Sequence, residues 1–210
     1  MYFEYGNREK EYLSKKDPKL GLLIDHIGHI KREVNPDIYS SIVHQIVSQQ
    51  ISSGARDTIW ARFEERLGEV ELDSVLSLSE EEIQTLGISN RKAKYILDFS
   101  TKVREGVVNL GKLQYMEDKE VIESLCQVKG IGPWTAQMTL IFSMQRPDVI
   151  SYGDFAIRKG MMLVYGLKEL SEKEFIRITS AYSPHSTVAS LYLWEASRGN
   201  LPEVLKSSDY

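Results

Sequence analysis

The chain has 210 residues, of which 42% are hydrophobic and 27% are charged, and its net charge is −4. This composition excludes a disordered or fibrous chain, and no apolar run approaches the roughly 20 residues that a membrane-spanning helix needs. A single cysteine and four histidines exclude an internal disulfide and a four-cysteine zinc or iron–sulfur site.

The hydrophobic pattern predicts an all-α fold. Isoleucines recur every fourth residue over 38–46, and a parallel apolar stripe runs from Val43 to Ile51, which indicates a central, buried helix. Further along the chain, capping residues mark helix starts and glycines mark most helix ends. The predicted starts are Ser79, Ser89 or Asn90, Asp118, Ser171 and Ser183–Pro184, and the predicted ends are Gly87, Gly106, Val128 and Gly199. Residues 206–210 are expected to fray.

Charge is unevenly distributed along the chain. Acidic residues concentrate within 64–82 and basic residues within 91–104. One interpretation is that the basic stretch faces a polyanion, and the other is that both stretches are solvated helix faces. The negative net charge argues against a nonspecific nucleic-acid coat.

The most informative segment is 125–136, Leu-Cys-Gln-Val-Lys-Gly-Ile-Gly-Pro-Trp-Thr-Ala. Gly130 and Gly132 give the backbone freedom to turn, Ile131 between them can point inward, and Pro133 opens a helix. The N–H groups of such a hairpin, with the helix N-terminus that follows, can hold a phosphate. The alternative is an ordinary connection between two helices with a glycine stop.

Residues 125–145 resemble the helix-hairpin-helix of the DNA base-excision glycosylases, and residues 148–154 resemble the Gly/Pro-rich loop that ends in the catalytic aspartate of that superfamily. Within it, the chain is most similar to the alkylpurine, or 3-methyladenine, DNA glycosylase branch. Three further segments agree in order, at 48–52, 87–93 and 189–194. The resemblance runs from about Asp17 to about Trp194.

The resemblance implies a single all-α glycosylase unit over 1–210, with two lobes and an active-site cleft between them. Lobe one is expected at approximately 31–144, with the helix-hairpin-helix at 119–145, and lobe two at approximately 1–30 plus 145–210. The implied partner is duplex DNA that contains damaged bases, the acting species is a monomer, and no membrane is involved. Because the first residues lack a secretion signal, we expect a cytoplasmic (nucleoid) protein in a prokaryote or a nuclear one in a eukaryote.

The resemblance identifies Asp154 as the catalytic residue. Cleavage of an N-glycosidic bond develops positive charge on the deoxyribose, and a nearby carboxylate stabilises that charge. The residue pattern alone favours a different role, because an aspartate just before an apolar-periodic run is typical of a helix N-cap. The two roles are compatible, since capping fixes the carboxylate and favours its ionised form.

The resemblance also implies the residues that contact DNA. A base must leave the stack before its glycosidic bond can be reached, and Gln50, with Gln49 beside it, matches the position that fills the gap. Some relatives insert a leucine there. The hairpin residues implied to contact the DNA backbone are Lys129, Gly130, Ile131, Gly132 and Thr135.

Trp134 and Trp194 match aromatic positions that line the base pocket of alkylpurine glycosylases. Tyr152 and Phe155 are secondary candidates, and Met138 stands where relatives can carry another aromatic residue. A purine alkylated at N3 or N7 is positively charged, and a tryptophan face attracts cations by about 0.5–2 kcal/mol. The alternative is that both tryptophans belong to the core.

Trp134 occupies the place where bifunctional relatives carry a nucleophilic lysine, so the resemblance implies a monofunctional enzyme that leaves an abasic site. No cofactor is required, although the backbone carbonyls of Cys126, Val128 and Ile131 could bind a sodium or potassium ion. Two alternatives stay open. One is a glycosylase for oxidised or deaminated bases, and the other is a noncatalytic helix-hairpin-helix DNA-binding module.

Overall fold

The computed structural model describes residues 1–206 and confirms the predicted all-α class. Within these residues there is no β-strand, only an isolated bridge between Tyr2 and Glu33. Of the residues 206–210 predicted to fray, Lys206 is the last residue of a helix, and 207–210 lie outside the described residues. None of the helices in the described part is long and apolar enough to cross a membrane.

Fourteen helices cover most of residues 1–206. In chain order they are α1 (Asn7–Lys16), α2 (Pro18–Ile27), α3 (Ile38–Ser48), α4 (Ser53–Leu67), α5 (Leu72–Leu76), α6 (Glu80–Thr85), α7 (Asn90–Arg104), α8 (Leu110–Leu113), α9 (Asp118–Leu125), α10 (Pro133–Phe142), α11 (Phe155–Tyr165), α12 (Glu172–Thr179), α13 (Ser186–Ser197) and α14 (Glu203–Lys206). The chain divides into two compact units, one formed by Met1–Val34 with Gln145–Tyr210 and the other by Asn35–Met144.

The first unit is organised by the pairing of α11 with α13. Gly160 permits this pairing, because a Cβ atom at that position would lie 2.0 Å from the carbonyl oxygen of Leu193. Around the pair, Met161, Tyr192 and Leu193 are buried together with apolar residues of α1 and α2. Helix α13 therefore has a fixed position relative to α11, and both helices carry candidate site residues.

The N-terminal segment of the first unit extends to Val34, four residues beyond the boundary near residue 30 predicted from the sequence. The reason lies in the backbone. The N–H group of Phe3 donates to the carbonyl of Arg32 at 2.8 Å, and the N–H group of Val34 donates to the carbonyl of Met1 at 3.0 Å. These bonds attach 31–34 to the N-terminal residues of the same unit.

The second unit is built around α3, which packs against α4, α7 and α10. Its apolar face is buried as the periodicity predicts, with Ile42, Val43 and Ile46 inaccessible to solvent. The predicted stripe was too long, because α3 ends at Ser48 and Ile51 lies beyond it on the surface. Ser52 caps the next helix through the N–H group of Ala55, so the chain must turn before Ile51 can join α3.

Capping chemistry accounts for several boundaries. Ser79 and Glu82 form the predicted capping box, in which each side chain accepts from the other residue's backbone N–H group at 3.2 and 2.8 Å. Helix α9 ends at Leu125 rather than near Val128, where the hairpin turn has already begun. Helix α13 begins at Ser186 and not at Pro184, because a carboxylate from an earlier loop binds the Ser186 N–H group.

Candidate functional site

Asp154 is the N-cap of α11, and it is almost fully buried, with 6% of its surface exposed. Its Oδ1 atom accepts hydrogen bonds from the N–H group of Ile157 at 2.9 Å and from the indole Nε1–H group of Trp194 at 3.3 Å. The positive end of the helix dipole also stabilises a carboxylate at this position. The N-cap interpretation is therefore confirmed. The chemical role of Asp154 is compatible with capping and stays a prediction.

The loop that leads to Asp154 is attached to the start of α13 by side-chain hydrogen bonds. Asp148 accepts from the Ser183 hydroxyl at 2.6 Å and from the N–H and hydroxyl groups of Ser186 at 3.1 and 2.5 Å. Burial opposes ionisation of Asp148, but these hydrogen bonds outweigh it and lower its pKa. Thr187 adds to the attachment by accepting from the Val149 N–H group at 2.9 Å. The backbone before Asp154 is thus fixed on the helix that carries Trp194.

The two secondary pocket candidates differ in what they present. The ring of Phe155 is 69% exposed beside Asp154. Tyr152 packs edge-on against Phe175 at 5.2 Å between ring centroids, and the Arg158 guanidinium lies 5.2 Å from the ring centroid of Tyr152. Phe155 has a free apolar surface for a ligand, whereas Tyr152 supports the packing between the loop and α12.

Arg32 was not identified from the sequence, yet its guanidinium carbon lies 5.7 Å from the centre of the Trp194 ring. The separation is within the range of a cation–π interaction. Asp154, Trp194 and Arg32 therefore form a connected series within the first unit. No sequence pattern joins Arg32 to the other two residues, because they lie at opposite ends of the chain and meet only through the fold.

In the second unit, the predicted hairpin connects α9 to α10. Gly130 has φ +84°, and a Cβ atom there would lie 2.1 Å from Cδ2 of Tyr95. Ile131 is buried, as predicted for the residue between the two glycines, and its N–H group donates to the Val128 carbonyl at 3.2 Å. Nothing surrounds the position of a Cβ atom at Gly132, so the backbone there faces open space at the N-terminus of α10.

Helix α7 holds the hairpin through an ion pair that the sequence analysis did not identify. Asp98 accepts from Lys102 Nζ at 2.6 Å and from the backbone N–H group of Lys129 at 2.9 Å. Lys102 Nζ also donates to the Gln127 carbonyl at 2.9 Å. Burial raises the pKa of Asp98, but the bonds from Lys102 and Lys129 outweigh it, and the net shift is downward. The i, i+4 spacing of Asp98 and Lys102 was the available signal for this pair.

Three residues predicted to contact DNA have their side chains engaged or buried inside the second unit. The amide nitrogen of Gln49 donates to the Gly130 carbonyl at 2.9 Å, so this side chain supports the hairpin. The side chains of Ile131 and Thr135 are buried, which leaves only their backbone groups for outside contacts. Lys129 is exposed on the hairpin surface.

Gln50 is exposed directly after α3, and its backbone has φ +58°, an uncommon conformation for a residue with a side chain. Such strain persists only where the surroundings impose it, and it is found often at functional sites. The preceding helix end is held by Lys92, which is 9% exposed and donates from Nζ to the Val47 carbonyl at 2.7 Å. Burial, followed by the charge of Arg91, lowers the pKa of Lys92.

The pocket residues predicted on α10 have different surroundings. Trp134 is 44% exposed in the first turn of the helix. Met138 is only 4% exposed and packs in the core of the second unit, and its place in a base pocket stays a prediction. One helical turn separates it from Trp134, but the side chains around it on α10, Thr135 and Thr139, are also buried.

The hairpin carbonyls differ in the hydrogen-bond donors that they accept from. The carbonyls of Gln127 and Gly130 accept from Lys102 and Gln49, whereas Cys126, Val128 and Ile131 carry the three carbonyls implied as ligands. Val128 also accepts from the Ile131 N–H group. Backbone carbonyl oxygens suit Na⁺ or K⁺. The two carbonyls that accept from Lys102 and Gln49 are not among the three implied ligands, so these hydrogen bonds are compatible with a cation site. Among residues 1–206, no cluster of three or more His, Cys, Asp or Glu side chains is placed to hold a metal ion.

The basic stretch of α7 borders a groove of about 620 Å³ that also reaches the hairpin. Arg91, Lys94, Tyr95 and Lys129 contribute to its lining. The acidic residues Glu80 and Asp98 also line it, and they pair with Lys94 at 3.8 Å and with Lys102 at 2.6 Å. Three basic and two acidic side chains therefore share the groove, and both interpretations of the charge pattern stay open.

Residues 43–184 match the family model described as HhH-GPD superfamily base excision DNA repair protein. The crystal structure of a DNA-3-methyladenine glycosidase from Bacillus halodurans is similar, with a TM-score of 0.83 and 34% identity over 94% of this chain and 92% of that one. The Schizosaccharomyces pombe 3-methyladenine DNA glycosylase Mag1, in complex with abasic DNA, gives a TM-score of 0.77 and 26% identity over 91% of this chain and 97% of that one.

A curated relative, YfjP of Bacillus subtilis, is 27% identical over 168 residues. The aligned region covers 76% of this chain and 58% of YfjP, so the chain spans just over half the length of that relative.

Proposed function

The chain belongs to the HhH-GPD superfamily of base excision DNA repair proteins, and on that premise we propose that it is a monofunctional DNA N-glycosylase. It excises alkylated purines of the 3-methyladenine and 7-methylguanine type from duplex DNA and leaves an abasic site. The names of its Bacillus halodurans and Schizosaccharomyces pombe relatives support this substrate class. The observation that carries the proposal is the buried carboxylate of Asp154, which Ile157 and Trp194 hold by hydrogen bonds.

The hairpin begins the reaction by binding the DNA backbone. The first helical N–H groups of α10, next to the open backbone at Gly132, donate to a phosphate, and Lys129 adds a positive charge. This contact is independent of base sequence. Gln50, exposed and held in the left-handed region, inserts where the damaged nucleotide has left the stack.

Bond cleavage follows around Asp154. As the C1′–N bond breaks, its electron pair leaves with the damaged base and positive charge develops on the deoxyribose. The carboxylate of Asp154 stabilises that charge because it is fixed and shielded from bulk water. A water molecule then adds to C1′ and loses a proton, which gives the abasic product. An alkyl group at N3 or N7 makes the purine a better leaving group.

The extruded base is received by aromatic residues. In the first unit, Trp194 contacts Asp154 directly and Phe155 is exposed beside it. An indole cannot form a Schiff base, so Trp134 at the position of the lysine found in bifunctional enzymes supports a reaction without strand cleavage.

We also propose that the hairpin binds Na⁺ or K⁺ through the carbonyls of Cys126, Val128 and Ile131. Such an ion would supply positive charge next to a bound phosphate. Replacing Na⁺ and K⁺ with tetramethylammonium at constant ionic strength should weaken binding to undamaged duplex DNA. Equal affinity in the two buffers would exclude the cation.

We further propose that the protein acts as a monomer, at the nucleoid or in the nucleus.

The substrate class is tested by measuring which free bases the protein releases from defined duplexes. We expect 3-methyladenine and 7-methylguanine from methylated DNA, and intact strands until alkali cleaves the abasic sites. Release of only 8-oxoguanine or uracil would assign the protein to oxidised or deaminated bases, and release of no base would leave a DNA-binding module. A covalent enzyme–DNA adduct trapped by borohydride would contradict the monofunctional mechanism.

A further inference from the structure

The position of Arg32 has a consequence for which damaged bases Trp194 can accept. Its guanidinium carbon lies 5.7 Å from the indole centre, and the indole N–H group donates to Asp154 at 3.3 Å. The backbone of Arg32 is held by the Phe3 N–H group at 2.8 Å, next to the bridge between Tyr2 and Glu33. The arginine is half-buried, and its side chain extends from this fixed backbone to the Trp194 ring.

An arginine in this place keeps its positive charge at every pH at which the enzyme works. The negative face of an indole attracts one cation, and here the guanidinium already uses that attraction. The guanidinium occupies one face of the indole, so an extruded base stacks on the opposite face. There the charge of the arginine acts through the ring against a positively charged base. An uncharged base does not meet this repulsion and can stack on the indole by dispersion and burial alone.

We propose that Arg32 is a specificity-determining residue, which shifts the range of excised bases towards uncharged damaged purines and away from purines that carry a positive charge. The inference rests on the proposed glycosylase function, because it concerns the relative excision of two substrates at the same site. Hypoxanthine is an uncharged damaged purine, and 7-methylguanine in DNA is a cationic one. The ratio of their excision rates measures the effect directly.

The experiment compares single-turnover base release from two duplexes of one sequence, one with 7-methylguanine and one with hypoxanthine. Arg32→Met and Arg32→Gln both remove the charge, and Arg32→Lys keeps it. Lys31→Gln is the matched control, because it removes an exposed charge from the adjacent position. We expect the 7-methylguanine to hypoxanthine rate ratio to rise about tenfold in the two uncharged variants. It should stay near the wild-type value in Arg32→Lys and Lys31→Gln.

Two kinds of result would overturn the inference while the proposed function stands. One is a wild-type protein that releases both bases but whose rate ratio changes less than twofold, or falls, in the uncharged variants. The other is a wild-type protein that releases 7-methylguanine and no detectable hypoxanthine. A wild-type protein that releases neither base would instead contradict the proposed function. Circular dichroism identifies a variant that does not fold, and the other uncharged variant then decides.

Discussion

The region around Asp154 and the hairpin at 126–132 differ in the groups that fix each of them in place. At Asp154 the structure depends on side chains, since an indole, serine hydroxyls and a threonine fix a carboxylate and the loop before it. At the hairpin it depends on the backbone, since Gly130 gives the turn and Asp98, Lys102 and Gln49 bind main-chain groups. The proposed roles explain this difference, because a region that binds the uniform DNA backbone needs a fixed shape, whereas a region that cleaves a bond needs one charged group in one place.

The largest effect is expected in the region around Asp154, where α11 packs closely against α13. Gly160→Ala would place a Cβ atom 2.0 Å from the Leu193 carbonyl, so α11 and α13 must separate. We expect a loss of about 2–4 kcal/mol in the free energy of unfolding, measured by urea denaturation. Gly54→Ala is the control, because it lies in α4 with nothing within 4 Å of its Cβ position, and it should be neutral or slightly stabilising. Equal effects of the two substitutions would refute the packing argument.

In the hairpin, Gly130→Ala should lower the affinity for DNA. The substitution combines a φ of +84° with a Cβ atom 2.1 Å from Tyr95, so the hairpin must change shape. We expect the affinity for undamaged duplex DNA, measured by fluorescence anisotropy, to fall about tenfold or more. Gly68→Ala has a similar positive φ and nothing within 4 Å, and it should leave affinity unchanged. If both variants bind like wild type, the hairpin is not the DNA contact.

Sequence reasoning identified the hairpin well because its information is local. A pair of glycines, of which Gly130 takes a positive φ, a buried residue between them and a proline at a helix start are all readable from adjacent letters. The N-cap role of Asp154 was readable for the same reason. Contacts between distant segments were not readable, which is why the position of Arg32 and the hydrogen bond from Gln49 to the Gly130 carbonyl were missed.

The burial of Met138 could not be predicted from the sequence for a similar reason. A spacing of one helical turn from Trp134 indicates a shared helix face, but it does not indicate where burial begins along that face. In the structure the exposed part of α10 is limited to its first turn, and Met138 lies in the core. The burial of Lys92 shows the same limitation, since a lysine in a basic stretch is normally expected on the surface.

The hydrogen bond between Trp194 and Asp154 allows a single side-chain contact of the region around Asp154 to be removed. Trp194→Phe removes the Nε1–H donor, so the carboxylate loses this hydrogen bond and keeps the one from the Ile157 N–H group. We expect the single-turnover rate of base release to fall about tenfold, with DNA affinity unchanged. Trp60→Phe is the matched control, because it removes an indole bond to the exposed Glu64 carboxylate in the second unit. A loss of affinity without a loss of rate would assign Trp194 to DNA binding instead.

The smallest effect is expected from the exposed charge on the hairpin. If Lys129 contacts a phosphate, Lys129→Gln should lower the slope of log affinity against log salt concentration by about 0.9. Lys173→Gln, an equally exposed lysine in the first unit, should leave the slope unchanged. The measurement is a titration of duplex DNA at four or more salt concentrations. An unchanged slope in Lys129→Gln would show that the lysine does not contact the backbone.

The central claim is that the carboxylate of Asp154 acts in bond cleavage and not only as a helix cap. Asparagine caps helices about as well as aspartate and keeps an acceptor for Ile157 and Trp194, so Asp154→Asn separates the two roles. Asp37→Asn makes the same change at the N-cap of α3.

The most direct measurement is single-turnover release of 7-methylguanine by the two variants, with thermal stability and DNA affinity determined on the same samples. We predict that Asp154→Asn loses about 100-fold or more in rate while it keeps its stability and affinity, and that Asp37→Asn matches wild type in all three. Undiminished release by a folded Asp154→Asn protein would contradict the account.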